Sequence, residues 1–272
     1  MARREITGFS NSTVKYLRSL RDKKHRKREG VFLAEGLRLL TDARACGHVP
    51  QMLVMAAKRD SHPLIDALED AVNESGGEII VTPPDILSKI TGKDNPQSVA
   101  GVFAEFDTSL ASVDRTAADI WLVAQALRDP GNLGTMLRTG DAIGAGGVIL
   151  IDDCADPFSV ETVRASMGAV FTQKIARASF DEFLPWLRAD EGQLVAASLR
   201  EAVPYRSAPY TAPCFVMVGN ESQGLPEGYE MACDLRVTMP MHGRADSLNA
   251  AVAAAVLGYE VLEAINPQTP AP

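Results

Sequence analysis

The side chains best suited to chemistry in this 272-residue chain gather in three polar loops. The first runs Arg128-Asp-Pro-Gly-Asn132-Leu-Gly-Thr-Met-Leu-Arg138-Thr-Gly140. The second is Val218-Gly219-Asn220-Glu221-Ser-Gln-Gly224-Leu225-Pro, and the third is Met239-Pro-Met241-His-Gly-Arg-Ala-Asp-Ser247-Leu248-Asn249. Each follows an apolar run that reads as a strand, which puts all three at strand carboxyl ends, where open α/β sheets bind ligands. They offer a guanidinium (Arg138), a carboxylate (Glu221), two amides (Asn132 and Asn249) and a hydroxyl (Ser247). Such groups align reactants and stabilise charge that develops during a reaction. Taken singly, each has a plainer explanation. Asn132 and Ser247 stand where helices begin and could be ordinary caps, and Gly219 and Gly224 could be turn glycines. Glu221 in a polar loop would usually be solvated, and Arg138 on a helix would usually be a surface charge. Only their joint occurrence favours a site.

The elements that must hold these loops alternate between strand and helix. In the second half, strands are predicted at 120–127, 148–152, 174–176, 193–199, 214–218 and 235–239, and helices at 133–143, 160–170, 180–187 and 247–265. Near-continuous apolar strands between helices are the pattern of a parallel sheet covered on both faces. The first half repeats the alternation on a smaller scale. It has a helix at 11–28, an apolar run at 31–34, strands at 51–55, 78–82 and 98–105, and helices at 37–46, 63–73 and 84–90. The stretch 108–118 is poor in large apolar residues and reads as a linker, giving domains at 1–107 and 119–272. In the final helix, Leu248, Ala251, Val252, Ala255, Val256, Tyr259 and Leu262 form one stripe, while Ala250, Ala253, Ala254, Leu257 and Val261 cover much of the rest. A helix apolar nearly all round must be buried nearly all round, so a symmetric homodimer is expected.

Composition excludes several classes. With 46% hydrophobic and 23% charged residues the chain has the make-up of a soluble globular protein. It has no 18-residue apolar stretch and no signal pattern in its first ten residues, so a cytoplasmic location and no membrane partner are expected. The four cysteines, Cys46, Cys154, Cys214 and Cys233, are scattered without a C-x-x-C pair, and neither a metal site nor a disulfide framework is indicated. Net charge is −8, yet residues 1–30 hold ten Lys or Arg against three acids. That cluster, with Lys15, Arg18, Arg21, Lys23, Lys24, Arg26, Lys27 and Arg28 on one predicted helix, is the footprint expected where phosphates are met. A merely solvated basic face is the plainer alternative.

In order and spacing, the three loops resemble the signature motifs of the SpoU/TrmH family of RNA 2′-O-ribose methyltransferases, within the SPOUT superfamily. The resemblance covers about 120–265. The first half, from Ser10-Asn-Ser-Thr-Val-Lys-Tyr-Leu-Arg-Ser-Leu-Arg to Ala34-Glu-Gly, looks like the L30e-like substrate-binding domain of members that act on ribosomal RNA. The resemblance implies an α/β SPOUT domain with a parallel sheet and a deep trefoil knot, S-adenosylmethionine as cofactor, and a donor site at a homodimer interface. It implies a donor pocket at Gly219, Asn220, Gly224, Leu225, Met239, Met241 and Leu248, with Asn132, Arg138, Glu221, Ser247 and Asn249 near the transferred methyl and the target ribose. A guanidinium pKa above about 12 makes Arg138 a poor base, so orientation of the hydroxyl and stabilisation of its developing charge is the role expected of it. Two small-residue departures, Gly140 where Ala often stands and Ala250-Ala251 where Val-Ser is frequent, bear on the shape of the donor pocket.

A tRNA methyltransferase with the same chemistry and a non-catalytic RNA-binding or ribosome-assembly factor remain alternatives. A nucleotide-dependent oxidoreductase is disfavoured, because no G-x-G-x-x-G follows the first strand of either half.

Overall fold

In the computed structural model, which describes residues 2–57, 62–220 and 222–267, the basic segment 11–28 folds as two helices rather than one. After the short edge strand β1 (Ala2–Glu5), Asn11 caps α1 (Ser12–Ser19) by accepting from the Thr13 amide at 2.9 Å. Asp22 then starts α2 (Lys23–Glu29) by accepting from the Lys24 amide at 2.7 Å, and Gly30 ends it with φ +65°. Asp is among the strongest N-caps, so it restarts the chain where apolar periodicity alone would run on.

The break has a consequence for Arg26. The charge pattern groups it with the RNA contacts, but it is 2% exposed. Its Nη1 donates to the carbonyls of Leu20 and Arg21 at 2.9 and 2.8 Å, closing the turn between the helices. A guanidinium so enclosed is not available to a phosphate. Arg26→Met should therefore lower stability by about 2–4 kcal/mol, since a buried carbonyl stripped of its donor costs about 1–3 kcal/mol. Lys27→Met on the exposed face should change it by less than about 0.5 kcal/mol. Urea unfolding of the two variants checks the contrast.

The first unit continues through β2 (Val31–Glu35), α3 (Leu37–Ala45), β3 (Met52–Ala56), α4 (Pro63–Glu74), β4 (Glu78–Thr82), α5 (Pro84–Thr91) and β5 (Val99–Ala104). Its five strands lie in the order β1-β4-β3-β5-β2, with β1, β4 and β3 parallel and β5 antiparallel to both β3 and β2. This unit takes in residues 2–106 and also the later segment Phe158–Phe171. Phe32 stacks on Phe158 at 5.0 Å and Phe103 meets Phe171 at 4.8 Å between ring centroids. Glu35, from the Ala34-Glu-Gly stretch, has a 4% exposed side chain that accepts from the Gln97 amide at 2.8 Å and pairs with Lys93 and Arg164. Its role is internal to this unit.

The second unit is built on β6 (Ile120–Gln125), every residue of which is buried. It proceeds through α6 (Pro130–Ala142) and β7 (Gly147–Ile151), and the chain then supplies α7 (Val160–Ala165) to the first unit. It resumes with β8 (Lys174–Ala178), α8 (Phe180–Arg188), β9 (Gln193–Ala197), β10 (Val203–Pro204), β11 (Cys214–Val218), α9 (Glu227–Ala232), β12 (Leu235–Thr238) and α10 (Ala250–Ile265). The seven strands are parallel throughout in the order β10-β12-β9-β11-β6-β7-β8. The expected α/β class and parallel sheet are therefore present. The predicted helix 160–170 is shorter, ending at Ala165 before Met167 and Gly168 turn through positive φ.

The last helix begins at Ala250, not at Ser247. Asn249 caps it, with Oδ1 accepting from the amides of Ala251 and Val252 at 3.0 and 3.3 Å. It packs on α6 with Gly258 at the crossing, where a Cβ would come within 2.7 Å of Ile143. Its buried residues are Ala250, Ala251, Ala253, Ala254, Leu257, Gly258 and Val261, whereas Val252 and Tyr259 stand 45% and 54% exposed. No helix among the described residues is long and apolar enough to cross a membrane.

Candidate active site

The carboxyl ends of β9, β11 and β12 open on one cleft of about 370 Å³ within the second unit. Gly219, Asn220, Gly224 and Leu225 line it from the loop after β11, and Met239, Met241, Ser247 and Leu248 from the segment between β12 and α10. All seven residues expected for the donor pocket thus share one cavity. The loop after β11 turns back on itself. The Gly224 amide donates to the Asn220 carbonyl at 2.9 Å, and Gly224 adopts φ +67°. Gly219 faces that return so closely that a Cβ there would lie 2.4 Å from the Gly224 carbonyl carbon and 2.5 Å from the Leu225 nitrogen. Backbone cannot yield as a flexible side chain can, so only glycine fits this position.

Asn220 shapes the loop through its side chain. Its Nδ2 donates to the Ala126 carbonyl at 2.9 Å, and its Oδ1 accepts from the amides of Ser222 and Gln223 at 2.9 and 3.3 Å. Ala126 itself holds φ +48°, unusual for a residue with a Cβ, directly after β6. The amide thereby ties the β11 loop to the end of the neighbouring strand.

Asn132 and Asn249 meet. Asn249 Nδ2 donates to Asn132 Oδ1 at 2.9 Å, joining the first turn of α6 to the cap of α10. The cap of α6 is Asp129, whose carboxylate accepts from the Asn132 amide at 2.7 Å, so Asn132 does not cap that helix. Ser247 caps nothing either. It lies in the loop, its hydroxyl donating to Asp246 at 3.2 Å. Arg138 stands exposed on α6, outside the cleft lining, its side chain with no hydrogen bond or ion pair among the described residues. Glu221 lies outside the described residues.

Two cleft residues give no signal in the sequence, Arg200 after β9 and Glu230 on α9. A six-residue helix containing Gly228 shows no periodicity, which leaves Glu230 looking like one more loop acid. Thiol chemistry is not on offer in this unit. Burial pushes Cys154 up to about 11 and Cys214 and Cys233 up to about 12, so all three are neutral thiols near pH 7. Among the described residues no group of three or more His, Cys, Asp or Glu could hold a metal ion.

Residues 119–259 match the model of the SpoU rRNA Methylase family. The chain belongs to that family. Residues 11–101 match the MRM3-like substrate binding domain. Among curated relatives, the chain is 32% identical to the 23S rRNA (guanosine(2553)-2'-O)-methyltransferase RlmP of Bacillus subtilis, over 95% of this chain and 99% of that one. It is 28% identical to the 23S rRNA (uridine(2479)-2'-O)-methyltransferase of Streptomyces viridochromogenes, over 96% and 92%. Among solved structures, the AdoMet-bound rRNA methyltransferase from Sinorhizobium meliloti superposes with a TM-score of 0.89 at 38% identity, covering 95% of this chain and 97% of that one. The two family models fall on the two halves distinguished in the sequence, and the SpoU match spans all three loops. The trefoil knot is what this family implies for the second unit.

Proposed function

We infer that this chain transfers a methyl group from S-adenosylmethionine to a ribose 2′-hydroxyl of ribosomal RNA, of the 23S class on which its named relatives act. The observation that carries this reading is the cleft. The seven residues expected to hold the donor line it, with a backbone cradle at Gly219 that a single methyl group would fill. Its mixed walls suit the donor: Val218, Leu225 and Val237 are apolar, while Ser198, Arg200 and Glu230 are polar. S-adenosylmethionine supplies an activated methyl on its sulfonium. The chain's own residues must then align a hydroxyl and steady the charge left on its oxygen as the proton departs. Arg138 suits that second task because its guanidinium is uncommitted among the described residues. The Asn132–Asn249 pair fixes the helix starts between which the ribose would be presented.

Arg138 and the cleft do not meet in the lone chain, and α10 leaves Val252 and Tyr259 uncovered. A homodimer laid on that face covers the apolar side chains and gives Arg138 of one copy access to a second cleft. This is the arrangement we propose. The exposed residues Lys15, Arg18 and Arg21 border one shallow depression on α1 and the following turn, and with Lys23, Lys24, Lys27 and Arg28 they form the proposed RNA face. Arg28 is partly committed, its Nε lying 2.7 Å from Glu29. Changing Lys15, Arg18 and Arg21 together to alanine should flatten the log–log salt dependence of RNA affinity by about 2–3, near 0.7–0.9 for each phosphate no longer neutralised. Filter binding between about 50 and 200 mM salt, where such a slope is steep enough to measure, reads this directly. A cytoplasmic location fits a substrate of this class.

The substrate class is tested with labelled donor and separate unmodified 23S, 16S and tRNA transcripts. Label in 23S alone supports the reading. Label in tRNA alone would reassign the substrate, and donor binding without label in transcripts or assembling particles would favour the non-catalytic alternative.

A further inference from the structure

Glu230 is 7% exposed and lines the cleft from α9. A carboxylate has about four acceptor sites and no donor of its own. Among the described residues the only side chain paired with this one is Arg200, whose Nε lies 3.7 Å from Glu230 Oε2, beyond hydrogen-bond distance. Arg200 also reaches Glu227 at 3.2 Å, which divides its charge between two acids. Glu230 is therefore a nearly buried carboxyl group with a guanidinium nearby but no side-chain hydrogen-bond donor among the described residues, and it borders a cavity large enough for a ligand. Hydrogen bonds to a carboxylate are stronger than neutral ones, so a ligand that brings donors to this wall gains from it.

We propose that Glu230 accepts hydrogen bonds from the ribose 2′,3′-diol of the methyl donor and is a binding residue for it. The proposal rests on the donor reading given above. The donor has three kinds of hydrogen-bond donor: the adenine amino group, the two ribose hydroxyls and the α-ammonium of its amino-acid end. The adenine amino group offers donors at one nitrogen only. The diol is neutral and brings two adjacent O–H groups, which match the two oxygens of one carboxylate. Acidic side chains hold nucleoside ribose hydroxyls in the same way in dinucleotide-binding sheets. Arg200 in this arrangement is a positioning residue that holds Glu230 turned toward the cavity.

Titration calorimetry with S-adenosylhomocysteine and its 2′-deoxy and 3′-deoxy forms tests the assignment on the full chain. Wild type should bind S-adenosylhomocysteine at least about tenfold more tightly than one or both deoxy forms, as expected for a hydrogen bond to a charged acceptor. In Glu230→Gln, which keeps shape, that penalty should shrink to about twofold or less. Glu230→Asp, which keeps charge but retracts the oxygens by one methylene, should also reduce it. No hydroxyl penalty in wild type overturns the proposal without any variant. A penalty unchanged in both variants overturns it too, as does a variant whose lost sensitivity is instead to removal of the amino-acid end, measured with 5′-methylthioadenosine. Failure of wild type to bind S-adenosylhomocysteine at all would overturn the donor reading itself, a separate result.

Discussion

Arg138→Ala is expected to lower kcat by about 10²–10³-fold, the usual loss when one preorganised stabiliser of developing negative charge is removed. Donor affinity should stay within about twofold, because Arg138 is exposed and stands outside the lining of its own chain's cleft. Stability should move by less than about 0.5 kcal/mol, as for other exposed groups without partners. Arg138→Lys separates the two ways an arginine can act. Lysine keeps the charge but loses the planar fork, so near-full turnover would contradict a role that depends on presenting two donors to one oxygen. Single-turnover methyl transfer beside calorimetric donor binding distinguishes these outcomes.

Gly219→Ala should have the opposite signature, with donor binding lost first. The new methyl would lie 2.4–2.6 Å from the carbonyl group of Gly224 and the nitrogen of Leu225, so the returning strand of the loop must shift. Overpacking of this kind costs about 1–3 kcal/mol, or about five- to 150-fold in affinity if the strain falls on the pocket. Asn220 resists that shift, because its side chain ties the loop to Ala126. The two variants also test the proposed dimer together. Mixed after co-refolding, the impaired Arg138→Ala and Gly219→Ala chains should show more activity than either alone, since some hybrids then hold one intact cleft served by one intact Arg138. No recovery would mean that each chain serves its own cleft.

Much of this arrangement was legible in the residues because its strongest features are periodic. The unbroken apolar run of β6 and its neighbours could only be satisfied inside a two-sided parallel sheet. The loops' positions at the strand ends followed from that. Other features depend on competition between residues that the pattern does not rank. Ser247 and Asn249 are both good caps, and the backbone at Asn249 decides for the latter. Asp22 ends one helical pattern by starting another, and the same turn encloses Arg26, which the charge pattern groups with its exposed neighbours. Strand β1, Ala2-Arg-Arg-Glu5, is a charged edge strand without the apolar alternation that marks a strand. Strand β10 has only two residues. The return of Phe158–Phe171 to the first unit's core is a tertiary fact with no local sequence signal. Glu230 stayed hidden for a similar reason, as burial of an acid is visible only once the sheet ends are assembled.

Transfer of a methyl group to a ribose oxygen is tested most directly by alkaline hydrolysis of the labelled product. Cleavage by alkali needs a free 2′-hydroxyl, so a ribose-methylated site resists it. Label should be retained in an alkali-resistant dinucleotide and strongly reduced when Arg138→Ala replaces the wild type. Label released in mononucleotides would mean methylation of a base and would contradict the roles assigned to Arg138, Asn132 and Asn249.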